Sequence, residues 1–140
     1  MFTLTRWSIV LAAMVVLSGC GSLGSPKAVG PAFTGDEIKK VIVGNTIQGP
    51  AGTVLYDWYY AADGKVTGVV GESDDDSGTW LIKNDKIYCH TWDEYFDGVQ
   101  HCYEWYKANT SGHYIMKNVD TDRGADIEVW EVIQGNPYNM

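Results

Sequence analysis

Two dipeptides in mirror order, Cys89-His90 and His101-Cys102, hold the side chains of this sequence best suited to bind a metal or to cross-link the chain. Two cysteines and two histidines make a zinc ligand set. The mirror order lets one antiparallel hairpin place Cys89 opposite Cys102 and His90 opposite His101 in a single register. Neighbouring residues of a strand point to opposite faces, so the cysteines share one face and the histidines the other. Four ligands then cannot converge without a bulge, and the C-x₂-C spacing of zinc fingers is missing. Directly opposed cysteines bring their Cβ atoms to about 4 Å, which suits a disulfide. The facing histidines, His90 and His101, are a weak site for copper or nickel or, on the plainer reading, two half-exposed side chains on a sheet face.

The carboxylates form two clusters. Asp120, Asp122, Asp126, Glu128 and Glu131 have the alternate spacing of a calcium loop, and taking Asp120 as its first position puts Glu131 at the twelfth. The glycine required at the sixth position is Ala125, however, and no helices flank the segment. It reads as a solvated acidic loop, with Asp120, Asp122 and Asp126 as weak metal candidates only. Glu72, Asp74, Asp75 and Asp76 read as a second acidic loop. No nucleophile elbow, phosphate-cradling glycine loop or H-E-x-x-H motif is present. Paired carboxylates for glycoside cleavage are available, but nothing selects one pair. No catalytic residue, metal or cofactor is therefore expected, and the protein is read as a non-enzyme.

Aromatic residues are abundant: 6 Trp, 9 Tyr and 3 Phe. Trp58 and Tyr60 share one face of their strand and Tyr59 takes the other; Tyr103 and Trp105 face away from Tyr106. For any single ring, a place in the core is the plainer reading. Because both faces of these strands are aromatic, some rings are expected to reach solvent or a groove, where exposed aromatic patches mark binding surfaces. The candidate surface comprises Trp58, Tyr59, Tyr60, Trp92, Trp105 and Tyr106.

The elements that would position these groups follow from local pattern. Thr34 with Glu37 three residues on is a capping box, Asp36 and Glu37 suit the dipole, and Gly44-Asn45 ends a short helix carrying Ile38, Val41 and Ile42 on one face. Period-two alternation then predicts strands at Val54–Tyr60, Lys65–Gly71, Gly78–Lys83, Lys86–Trp92, Val99–Lys107, His113–Asn118 and Ile127–Ile133, separated by turn signals. The expected fold is mainly β: one short N-terminal helix and about seven antiparallel strands in a small meander barrel or sandwich.

Ahead of this domain, Arg6 is followed by an apolar run to Leu17 and then by Leu17-Ser18-Gly19-Cys20. A basic residue, a short apolar stretch and small residues before a cut site make a secretory signal. The tetrapeptide resembles the lipobox of bacterial lipoproteins, which implies diacylglyceryl modification of Cys20 and removal of residues 1–19. Residues 20–33 then read as a flexible tether and residues 34–140 as one β-rich domain. With Cys20 lipidated, Cys89 and Cys102 remain as an even pair in an oxidising compartment, and a disulfide between them is the default. Gly21 after the cysteine implies an outer-membrane address facing the periplasm. The order Thr34-Gly35-Asp36-Glu37-Ile38, Gly44-Asn45-Thr46, Tyr59-Tyr60, Asp63-Gly64-Lys65, Gly78-Thr79-Trp80, Cys89, Cys102 and Gly135-Asn136 resembles a family of small periplasmic proteins of unknown function from Gram-negative bacteria. That resemblance implies a fold and an exported location and carries no activity.

The net charge of −8 argues against nucleic acid as a partner. The expected partners are the membrane, through the N-terminal lipid, and another envelope protein bound or scaffolded through the aromatic and acidic surface. Two further readings stand beside that one: a small-ligand or glycan binder using an aromatic groove, and an inhibitor of an envelope hydrolase.

Overall fold

A computed structural model describes residues 24–140. The lipobox and Cys20 lie outside the described residues. The first described element is a two-residue strand, β1 (Ala28–Val29), followed by helix α1 (Gly35–Ile42). Strands β2 (Asn45–Ala51), β3 (Val54–Tyr60), β4 (Lys65–Val70), β5 (Asp74–Lys83) and β6 (Ile87–Trp92) come next. Then follow β7 (His101–Ala108), β8 (Tyr114–Asn118), β9 (Ile127–Val129) and β10 (Glu131–Gln134).

The helix is built as its sequence dictates. The Thr34 side chain accepts from the Glu37 N–H at 3.3 Å, and the Glu37 carboxylate accepts from the Thr34 N–H at 2.8 Å. Ile38 and Ile42 are fully buried. Gly44, at φ 75°, turns the chain out of the helix, and its N–H donates to the Tyr60 carbonyl at 2.8 Å.

From β2 to β8 each strand pairs antiparallel with the next. β9 pairs with β8 and β10 pairs with β2, yet only Trp130 separates β9 from β10 in the chain. The sheet path therefore returns to its beginning and forms a nearly closed barrel. Closure needs close approach at one point. A Cβ on Gly49 would stand 2.1 Å from the Glu128 carbonyl and 2.6 Å from the Tyr56 hydroxyl, so only glycine fits at this seam.

Three features differ from the sequence expectation. Among the described residues there are ten strands rather than about seven, because β1 and β2 were not anticipated and the last strand breaks at Trp130. Gly49 and Pro50 hid β2, since both residues ordinarily argue against a strand. The helix is not the N-terminal element: β1 precedes it, with Ala28 opposite Ala108 and Val29 opposite Lys107, so residues 27–33, expected within a tether, lie along β7. Finally, Asp74, Asp75 and Asp76 belong to β5 and pair with β4 instead of forming a loop.

Interior and exterior alternate along every strand. Trp58 faces Ile47 and Gly68, Tyr60 faces Val66, Trp80 faces His90, Tyr88 faces Tyr103, and Trp105 faces Met116, all inside. A barrel of about eight staves has room for such side chains or for one small ligand. Helix α1 covers one end. Its first residue, Gly35, donates to the Asp85 carbonyl in the β5–β6 turn, and Phe33 donates to the Trp105 carbonyl at 2.8 Å. The opposite end carries the β2–β3, β4–β5, β6–β7 and β8–β9 connections and, among the described residues, has no α-helix over it, only the short turn Tyr95–Gly98.

Candidate functional site: the mouth of the barrel

The uncovered end holds an open cavity of about 510 Å³. Tyr56 and Trp58 of β3 form one wall, Val70 and Ile127 contribute apolar surface, and Tyr95 and Phe96 reach in from the β6–β7 connection. Tyr56 and Trp58 stack with ring centroids 4.2 Å apart, and the Tyr56 hydroxyl donates to the Glu128 carbonyl at 2.6 Å across the closing seam. Trp58 lies 5.1 Å from Trp92, and Gly68 leaves room for both: a Cβ there would come within 2.4 Å of Trp58 Cδ1 and 2.9 Å of Trp92 Cη2.

The β6–β7 connection is held to the rim by one carboxylate. Asp76 Oδ2 accepts from the N–H groups of Glu94 and Tyr95 at 2.9 and 2.8 Å, and its Oδ1 accepts from the Ser77 N–H at 2.8 Å. Desolvation raises the Asp76 pKa, but the hydrogen bonds from Tyr95, Glu94 and Ser77 outweigh it and leave the group below its ordinary value. The Tyr95 hydroxyl also donates to the Asp74 carbonyl. Beyond this anchor Phe96, Asp97 and Gly98 take left-handed backbone at φ 55°, 58° and 64°. For a bulky residue such as Phe96 that conformation costs on the order of 1–2 kcal/mol. It brings the Phe96 ring to 4.9 Å from His90, 5.2 Å from His101 and 6.1 Å from Trp58, as a cover over the barrel interior.

Charge is distributed unevenly about the barrel axis. Asp74, Asp75, Asp76, Asp93, Glu94 and Asp97 lie at the mouth end, where Asp126 and Glu128 line the cavity and Arg123 is a cation in the β8–β9 connection; the helix-covered end is mixed, with Lys39, Lys40, Lys65, Lys83 and Lys86 beside Asp36, Glu37, Asp63 and Asp85. The field at the entrance is negative and opposes anions.

The cysteine hairpin has the expected register and cross-link. Cys89 faces Cys102 and the two form a disulfide, while His90 faces His101. The histidines are not half-exposed, however: His90 is 0% and His101 6% exposed, because closure of the sheet turns their face inward and puts the disulfide on the outer side. His90 is held neutral, its pKa pushed down to about 3 by burial first and by His101 second. Its Nδ1 lies 3.1 Å from the Tyr88 hydroxyl, which lies 2.8 Å from the Tyr60 hydroxyl.

The other anticipated residues are placed as follows. Trp58, Tyr60, Trp92 and Trp105 are buried and form no outer surface; Tyr59 and Tyr106 are half-buried on the outer face. The reason is again closure, which assigns one aromatic face of each strand to the interior. Asp120 accepts from the Cys102 N–H at 3.0 Å, and Asp126 pairs with Lys117 at 2.8 Å, so these carboxylates fasten the β8–β9 connection. Asp122 is exposed and lies 3.4 Å from the Thr121 hydroxyl. Among the described residues no three His, Cys, Asp or Glu side chains gather as a metal site. Sequence reasoning missed Tyr56, Tyr95 and Phe96. Tyr56 carried a signal, since it stands two residues before Trp58 on the same strand face; the turn at 93–98 gave none. No protein-family profile, no curated protein and no solved structure matches this chain.

Proposed function

We propose that this chain is a non-enzymatic, lipid-anchored envelope protein whose barrel mouth takes up a small, flat, mainly apolar ligand. Anchoring at Cys20 and an outer-membrane, periplasm-facing position rest on the lipobox resemblance alone. The observation that carries the binding reading is the 510 Å³ cavity walled by Tyr56, Trp58, Tyr95 and Phe96 at the end opposite α1. Binding sites for small molecules are concave, largely apolar and pre-formed, with few polar groups. The acidic rim selects against anionic ligands, so the ligand is neutral or cationic. A protein partner docked on the aromatic strands finds less support, since four of the six rings that would make that surface are buried.

The test is extraction. The chain and a Val70→Trp variant, in which an indole fills the mouth, are purified from cells and extracted with organic solvent, and the extracts are compared by mass spectrometry. An apolar small molecule present with the chain and absent from the variant is the expected result. Identical extracts would remove the mouth as a binding site.

A further inference from the structure

Beneath Phe96 lies a layer of polar atoms that have no hydrogen-bond partner among the described residues: Trp58 Nε1, Trp92 Nε1, His90 Nε2 and Tyr103 Oη. All four side chains are buried. Their rings are neighbours, His90 standing 5.5 Å from Trp58, 5.9 Å from Trp92 and 5.3 Å from Tyr103. Buried polar groups in folded proteins are nearly all paired, because leaving one unpaired is costly. Four in one layer, directly under an open cavity, is the pattern of a site whose partner comes from outside the chain.

The missing partner is an acceptor. Indole nitrogens only donate. The hydrogen-bonded run Tyr60–Tyr88–His90 can point either way, but among the described residues the Tyr60 hydroxyl has no second partner. Only the direction Tyr60 to Tyr88 to His90 Nδ1 uses both hydroxyl hydrogens, and it leaves the imidazole proton on Nε2. The layer therefore offers Trp58 Nε1–H, Trp92 Nε1–H and His90 Nε2–H as fixed donors; the Tyr103 hydroxyl can donate or accept, and His101 Nδ1, also unpartnered among the described residues, lies on the ring beside Phe96, so donors outnumber acceptors. A carboxylate would satisfy these donors, but it would have to pass the acidic rim and enter an interior where, among the described residues, no Lys or Arg is buried. An uncharged carbonyl meets neither obstacle.

Building on the mouth-binding reading, we infer that the ligand is a planar apolar carbonyl compound, of the aryl ketone or quinone class, whose oxygen enters the layer under Phe96. The ring body stacks on Tyr56 and Trp58 in the mouth. Its oxygen accepts from the donors below once the Phe96 ring swings aside. Phe96 is half-buried and sits on a left-handed turn at the edge of the cavity, so it is the group that can move without disturbing a strand.

Two probes of one shape separate this inference from the reading beneath it: 9-fluorenone, a planar ketone, and fluorene, its hydrocarbon counterpart. Binding of each to the full chain is followed by quenching of tryptophan fluorescence in one detergent, so partitioning cancels between variants. The expected result is about tenfold tighter binding of fluorenone than of fluorene. In Tyr103→Phe, which removes an unpaired buried hydroxyl and keeps the ring, that preference falls severalfold while fluorene binding holds. In Phe96→Gly, fluorenone binds severalfold more tightly. Equal binding of both probes, unmoved by Tyr103→Phe, would overturn the carbonyl inference and leave the mouth as a binding site. Failure of both probes to bind would overturn the two together. Weaker fluorenone binding in Phe96→Gly would show that Phe96 holds the ligand without moving aside and overturn the route beneath it.

Discussion

His90 shows how much one residue's environment depends on the closure of the sheet. In an open hairpin it would face water and titrate near its ordinary value; inside the barrel it is fully buried and held neutral down to about pH 3. The unfolded chain binds a proton at His90 near pH 6.5, which the folded chain takes up only near pH 3. The stability contributed by keeping this imidazole neutral is thus complete above about pH 6.5, declines as the pH falls, and is gone near pH 3. Urea melts at intervals over that window are expected to lose a few kcal/mol, and a His90→Phe variant to lack that component of the slope. An unchanged slope in the variant would mean that other groups carry the acid sensitivity. Asp76 acts with the same sign at lower pH, because its folded pKa lies below its ordinary value. Replacing it by Ala removes two hydrogen bonds to the 94–95 backbone and should cost about 1–3 kcal/mol by denaturant titration.

At the scale of elements, what could be read early was local, and what could not was set by distant contacts. The capping box of α1 and the hairpin register of Cys89 with Cys102 both follow from residues close in sequence, and both are present in the structure. Which face of that hairpin points inward depends on β2 and the β9–β10 run, which meet across the barrel from opposite ends of the chain. The strand pattern of β2 is masked by Gly49 and Pro50, yet Gly49 is what lets the seam close. Trp58 was legible as a binding residue, but as part of an outer surface; its partners Tyr95 and Phe96 come from a turn whose left-handed backbone no sequence signal announced. Gly49→Ala is expected to destabilise by about 1–3 kcal/mol, since the added methyl overlaps the Glu128 carbonyl and neither strand can retreat without opening the barrel. A melt unchanged from that of the parent chain would show that the seam is not tightly closed.

For the whole molecule, the two ends of the barrel divide the work. The helix-covered end bears side chains of both charges; the other end is open, aromatic and mainly acidic. The disulfide is buried on the outer face of the sheet and neither cysteine lines the cavity, so it acts on the stability of the chain rather than on the cavity. Replacing Cys89 and Cys102 by Ala should lower stability by about 3 kcal/mol and leave ligand binding at the mouth intact. If binding fell in step with the cross-link while the barrel remained folded, the cavity would depend on the hairpin more than its geometry implies.

The most direct measurement is a nuclear magnetic resonance titration of the tryptophan indole N–H signals with 9-fluorenone. Trp58 lines the mouth and Trp92 packs against it, Trp80 bonds the Ala61 carbonyl at the covered end, Trp105 lies behind Phe33, and Trp130 is exposed outside. Shifts confined to the Trp58 and Trp92 signals are the expected result. Shifts at Trp130, or none at any indole, would contradict a binding site in the mouth of this barrel.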